Sequence, residues 1–291
     1  MPEESAMTAA PAHSAAAIER LRGSRAFVFD MDGTLVLGDK TNHGLNPLPG
    51  ALEITNLLSE RGVPFVLFTN GTARTPQQYV EMLRSVGFLL PDNGVMTPVS
   101  SAAGLFRRRG YRRILTLGGE GLEKPLRDAG METVTPQGKP EADAVLIGWF
   151  REFTFSALEA ACHAVWNGAK VYSCSQSLFF ATAHGKALGT SRAISAMIKD
   201  LTGARIHVVG KPALEALRCA AGQLGARTTE LTVVGDDPSL EVPMALRGGA
   251  LAVAVNTGIG AADSFADLPA GQRPHLTVHD VCELLSLYKG Q

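Results

Sequence analysis

The chain reads as an α/β protein: a Rossmann-like parallel sheet with helical crossovers, interrupted by a second, inserted α/β unit. Three observations carry that reading. Short runs rich in Val, Ile, Leu and Phe alternate with longer helical patterns. Four of those runs end in polar residues capable of chemistry. The middle of the chain repeats the alternation without any such residues.

Taken in order, residues 1–21 carry acids where a secretory leader needs positive charge and lack a real apolar run. They read as a flexible tail on a cytoplasmic protein. The first strand, 25–30 (RAFVFD), runs straight into Asp30, Met31, Asp32 and Gly33. A long loop, "VLGDKTNHGLN", follows and should lie near the site's entrance. A helix over 49–62 leads to a second strand, 63–69, which ends in Thr69 and Asn70. Pro76 sits in the first turn of a helix over 75–87, where a missing N–H costs nothing.

The stretch around 89–98 is dense in Pro, Gly and Asn, and marks a break in the first unit. From 95 to 189 runs the insertion, with its own strands near 112–118, 143–149 and 169–175. After Gly189 the first unit resumes: a strand at 206–210 ends in Lys211, and a helix over 212–225 follows. A strand at 230–235 ends in Asp236 and Asp237, and 239–248 and 250–255 close the pattern as helix and strand. The expected organisation is a tail (1–21), a core (22–94 and 190–291) and an inserted cap (95–189).

Composition narrows the function classes. With 27 basic and 28 acidic residues the net charge is -1, which offers no footprint for a nucleic-acid polymer or an anionic membrane. No segment approaches the roughly 20 apolar residues of a membrane span. Cys162, Cys174, Cys219 and Cys282 are scattered without a CxxC pair, as expected of small core residues in a reducing compartment.

In a parallel sheet the carboxyl ends of the strands share one edge, so Asp30, Asp32, Thr69, Asn70, Lys211, Asp236 and Asp237 should converge there. Clustered carboxylates repel unless a cation neutralises them, and an all-oxygen set suits a hard cation such as Mg²⁺. A cation, a lysine, a hydroxyl and the backbone donors of the 70–72 loop are what a phosphoryl group needs around its oxygens. An aspartate is also a competent nucleophile toward phosphorus. Each motif alone is an ordinary turn or cap; the ordered set is not.

That set, "DMDGTL", "FTN", "GKP" and "GDDPSLE", resembles the four motifs of the haloacid dehalogenase superfamily. The insertion resembles the large α/β cap of its type IIA phosphatases. The resemblance implies that Asp30 is the nucleophile and a Mg²⁺ ligand, and that Asp32 is the general acid and base, giving its carbonyl to the metal. It implies that Thr69 and the Asn70–Gly71 backbone bind phosphoryl oxygens, that Lys211 orients phosphate and nucleophile, and that Asp236 completes the metal shell. Asp at position 32 favours ester hydrolysis over dehalogenation, since the leaving oxygen needs a proton. The implied substrate is a small phosphomonoester.

The sequence also departs from the family. Glu241 stands where the fourth motif usually has Asp, leaving it or Asp237 to support the metal. The cap reads "GWFREFTFSAL" at 148–158, placing Trp149, Phe150 and Arg151 where the family often has Leu-Asp-Arg. It has Cys174, Ser175, Gln176 and Ser177 where a Thr-Asn-x-Asp run is common. These residues would line a less acidic, more apolar roof, the aromatics being readable equally as core packing. A homodimer formed through the cap is compatible with this pattern. Two rivals stand beside hydrolysis: a regulatory or binding protein on the same fold, and a phosphotransferase passing phosphate to an acceptor other than water.

Overall fold

The computed structural model describes residues 13–38, 45–182, 185–258 and 265–290, with only the backbone course given for 179–182 and 185–187. It contains two parallel sheets, each with helices on both faces. The first has six strands: β1 (Ala26–Asp30), β4 (Phe65–Phe68), β5 (Val95–Met96), β13 (Leu231–Gly235), β14 (Leu251–Val255) and β15 (Leu276–Val278). Their order is β15-β14-β13-β1-β4-β5, and every pairing is parallel. The chain leaves β1 toward β4 and β5 on one side and later adds β13 to β15 on the other. That reversal beside β1 is the switch point at which an open α/β sheet leaves a crevice.

Alternation along the strands explains both layers. On β1, Phe27 and Phe29 enter one cluster with Leu67, Leu83 and Leu284, while Ala26 and Val28 enter the opposite one with Phe68, Leu217 and Val233. A strand buried on both faces needs a continuous apolar run, and all five residues of β1 are buried. Asp30, at its carboxyl end, is the exception that needs a purpose.

The second sheet has five strands in the order β12-β9-β8-β6-β7, again all parallel. These are β6 (Arg113–Leu117), β7 (Glu132–Val134), β8 (Ala144–Ile147), β9 (Lys170–Ser173) and β12 (Ile206–Val208). Helices α4 (Pro98–Arg108) and α5 (Glu120–Asp128) cover one face, and α6 (Phe155–Trp166) and α7 (Thr190–Thr202) the other.

Several expectations are corrected. The 206–210 strand, expected in the first sheet, is the edge of the second, where Ile206, His207 and Val208 pair with Val171, Tyr172 and Ser173. Apolar character alone does not say which of two parallel sheets a strand joins. Val95–Met96 belongs to the first sheet, beside Leu67 and Phe68. By sheet membership we propose limits near 97 and 209 for the insertion, beside the 95 and 189 expected from the sequence. Residues 15–21 of the expected tail (1–21) lie in the helix Ala15–Arg22, whose Leu21 is fully buried in the first cluster; residues 1–12 lie outside the described residues. In the long loop, Val36–Gly38 pairs antiparallel with Leu45–Pro47, and 39–44 lie outside the described residues. Among the described residues no helix is long and apolar enough to cross a membrane.

Candidate active site

The polar residues at the strand ends do converge. Asp30 ends β1, and Asp236 follows β13, the strand paired with β1. The hydroxyl of Thr34, in the turn after β1, reaches both: Oγ1 lies 3.4 Å from Asp30 Oδ2 and 3.5 Å from Asp236 Oδ1. On the other side of β1, Thr69 follows β4, and its Oγ1 donates to Asp32 Oδ2 at 3.3 Å while accepting the Gly71 N–H at 2.9 Å.

Lys211 arrives from the second sheet rather than the first. Its ammonium is 1% exposed and donates to Asp30 Oδ1 and, at 2.7 Å, to Glu241 Oε1. The Asn70 side chain holds the Lys211 peptide at both ends, donating from Nδ2 to the Lys211 carbonyl (3.0 Å) and accepting the Lys211 N–H at Oδ1 (2.9 Å). That two-pronged clamp ties the loop after β4 to the segment leaving the cap. Asn70 therefore does more with its amide than its motif position suggested.

Burial works against the charge on Lys211, but Asp30 and then Glu241 hold it protonated and push its pKa up. Glu241 is raised to about 7, chiefly by burial, with Asp30 adding to it and Lys211 opposing. Asp32 is raised to about 6 by desolvation and then by the Asp30 charge, against the pull of Lys211 and Thr69. Asp32 is an exposed residue as a whole, so the desolvation that leads its shift comes from the protein atoms packed around the carboxyl, with the Asp30 charge second. A carboxyl poised there can both give and take a proton near neutral pH.

The remaining expected site residues divide. Asp237 Oδ1 accepts from Ser239 N (2.7 Å) and Oγ (2.6 Å), and Glu241 Oε2 accepts the Asp237 N–H at 3.2 Å. Both carboxylates are thus engaged within the chain, Glu241 with Lys211 as well. From the cap, the Trp149 N–H donates to Thr72 Oγ1 at 2.8 Å, tying the cap to the loop after β4. Phe150 turns away: its ring packs edge-on against Phe153 in the cap's own core, 6.1 Å between centroids. Such a contact is what apolar area makes where neighbouring apolar area is available. Arg151 is exposed, and Ser175 and Ser177 are within 3.2 Å of each other through their hydroxyls.

Comparison with known proteins agrees with this geometry. Residues 27–132 match the family model described as haloacid dehalogenase-like hydrolase, and residues 208–284 match a second, HAD-hydrolase-like model. The chain is 25% identical over 244 residues to the 5'-nucleotidase YutF of Bacillus subtilis, spanning 84% of this chain and 91% of that one. It is 26% identical to the ribonucleotide monophosphatase NagD of Escherichia coli, over 88% and 96%. The crystal structure of a 4-nitrophenylphosphatase from Thermotoga maritima superposes with a TM-score of 0.82 at 26% identity, over 92% and 99% of the two chains. The chain belongs to the haloacid dehalogenase-like hydrolases.

It is a phosphatase of the large-cap, type IIA branch. Several residues of this haloacid dehalogenase-like site were not singled out from sequence. Thr34 stands inside the first motif as an ordinary turn residue. Thr72 is buried and carries the cap contact. Tyr79, also buried, lies close enough to Asp32 that, after burial itself, that charge raises its pKa, with Arg74 opposing. Only the position of Tyr79 one helical turn after the Thr75 cap was legible, and that spacing speaks for helix formation alone.

Proposed function

We propose that the chain hydrolyses a small phosphomonoester with the help of Mg²⁺ and through a phosphoryl group carried on Asp30. The observation that carries the reading is the buried Lys211 ammonium bonded to Asp30 and Glu241, with Asp236 on the same hydroxyl as Asp30.

The donor set fits a hard cation. Asp30, Asp32, Asp236 and Glu241 gather around one buried lysine, so positive charge is short. Among the described residues no three His, Cys, Asp or Glu side chains form a ready-made cage. Mg²⁺ rarely uses such a cage and suits two carboxylates, Asp30 and Asp236, with the Asp32 carbonyl and water. When bound, it would neutralise these carboxylates and draw charge from the phosphoryl oxygens.

The chain's own residues supply the rest. Lys211 fixes one oxygen of Asp30, leaving the other to attack phosphorus. As the new P–O bond forms, the ester P–O bond breaks, and the departing oxygen takes a proton from Asp32. Asp32 then takes a proton from water, which displaces the phosphoryl group from Asp30 and releases inorganic phosphate. Thr69 and the 70–71 backbone hold the phosphoryl oxygens meanwhile.

The relatives are named for nucleotides, acid sugar phosphates and nitrophenyl phosphate. Trp149, whose backbone N–H is tied to Thr72 just beyond the 69–71 loop, supports a flat leaving group among these classes. Exposed apolar residues on the outer cap helices, Phe155, Trp166, Met197 and Leu201, favour a homodimer through the cap.

The test is phosphate release from 4-nitrophenyl phosphate with Mg²⁺ and with excess chelator, for the wild type and Asp30→Asn. Activity should require the cation and vanish in Asp30→Asn. Full activity in chelator refutes the metal, and turnover by Asp30→Asn refutes the nucleophile.

A further inference from the structure

Asp236 is held by more than the sheet that delivers it. Its Oδ1 faces the Thr34 hydroxyl, while its Oδ2 faces main chain. A Cβ placed on Gly33 would lie 2.6 Å from that oxygen, and one on Gly258 only 1.9 Å. The same Gly33 Cβ would lie 3.1 Å from the Gly258 Cα, so two backbones close on each other and on the carboxylate. Gly33, at φ +88°, and Gly258 are therefore glycines for a steric reason.

A hydrogen bond fastens the two segments. Thr257 Oγ1 donates to the Gly33 carbonyl at 2.6 Å, across more than two hundred residues of chain. The Gly33 N–H is already given to the Val36 carbonyl, and Thr257 takes up the Gly33 carbonyl on the next peptide group, so both main-chain polar groups of Gly33 are held. At the turn's other end the Asn256 N–H donates to the Val278 carbonyl at 3.2 Å, anchoring it to β15. Among the described residues the Asn256 Oδ1 is buried without a hydrogen-bond partner, which makes the turn polar where its packing alone would not require it.

We propose that the 256–258 turn is a fifth segment of the catalytic centre. Thr257 and Gly258 are positioning residues that hold the Asp236 carboxylate toward Asp30 and thereby set the affinity for the divalent cation. The inference rests on the phosphatase reading above and deepens it. It needs no contact between the turn and substrate: Thr257 acts through Gly33, and Gly258 by leaving Asp236 room.

The test measures cation binding directly, by calorimetry with Mg²⁺ alone and by the Mg²⁺ dependence of the melting temperature, without substrate. Thr257→Val keeps the shape and removes the donor; it should weaken Mg²⁺ about fivefold, as expected for one neutral hydrogen bond. Thr257→Ser should bind as the wild type does. Gly258→Ala should lose at least tenfold, because its methyl and Asp236 Oδ2 cannot share their places. In Thr257→Val, kcat for 4-nitrophenyl phosphate should recover when Mg²⁺ is raised, whereas a merely structural defect would not respond. If the wild type binds no divalent cation, the phosphatase reading fails. If the wild type binds and a folded Thr257→Val binds equally well, this inference alone fails.

Discussion

Replacing Lys211 by Met should expose how far the site depends on one buried charge. The ammonium is enclosed and lies 2.7 Å from Glu241 Oε1 as well as against Asp30. At that separation, with an effective dielectric constant near 20, the attraction to Glu241 alone is about 6 kcal/mol before desolvation is subtracted. Removing one partner of a buried ion pair costs about 3–5 kcal/mol net, because the remaining charge is stranded. Lys211→Met strands two carboxylates, so the cost should reach that range at pH 8 without metal. It should also depend on pH with a definite sign. Burial already pushes Glu241 up to about 7 with the lysine in place, and without it the value climbs further. A carboxyl whose folded pKa is raised favours the fold at low pH and loses that favour as pH rises through the folded value. The destabilisation should therefore shrink between pH 8 and pH 5.5, as Glu241 takes up a proton. Urea unfolding at both pH values, followed by far-ultraviolet ellipticity, measures it, and adding Glu241→Gln should return part of the loss at pH 8. A cost under about 1 kcal/mol, or one equal at both pH values, would refute the reasoning.

Three further outcomes are expected. Gly121→Ala would place a methyl 2.2 Å from the Thr72 carbonyl and should lift the cap off the phosphate loop. A fall in kcat/KM of roughly ten- to a hundredfold is expected, and unchanged steady-state kinetics would rule out this contact as a catalytic seat. His275 accepts the Ala252 N–H at Nδ1 (2.9 Å), and burial followed by the Arg20 charge lowers its pKa. Its contribution is complete above the ordinary value near 6.5 and is lost as pH falls below it, so His275→Gln should show a smaller drop in Tm from pH 7.5 to 5.5 than the wild type. Trp166 is 61% exposed on α6, and Trp166→Glu should convert a cap-mediated dimer to a monomer by light scattering. A monomeric wild type would overturn that assembly.

Much of this molecule was legible in its sequence because it is local. Two-sided burial makes β1, β4 and β13 read as unbroken apolar runs, and a charged residue just past such a run marks a strand end. Residue order alone therefore placed Asp30, Thr69 and Asp236 on one edge. Tertiary structure decided what residue order cannot encode. Ile206–Val208 continues into an apolar run ending at Lys211 like the core strands, yet it joined the cap sheet, because its partner at Val171–Ser173 is chosen by where the chain has packed. That the Glu241 carboxylate meets the buried Lys211 ammonium, and that the Phe150 ring meets Phe153, was likewise decided only by packing. Thr257 gave no signal at all, since a threonine after a strand is unremarkable until the carbonyl it meets, 224 residues away, is known. Sequence fixes which groups a segment can offer; which of them meet depends on contacts closed across the whole chain, and those exist only once both layers have packed.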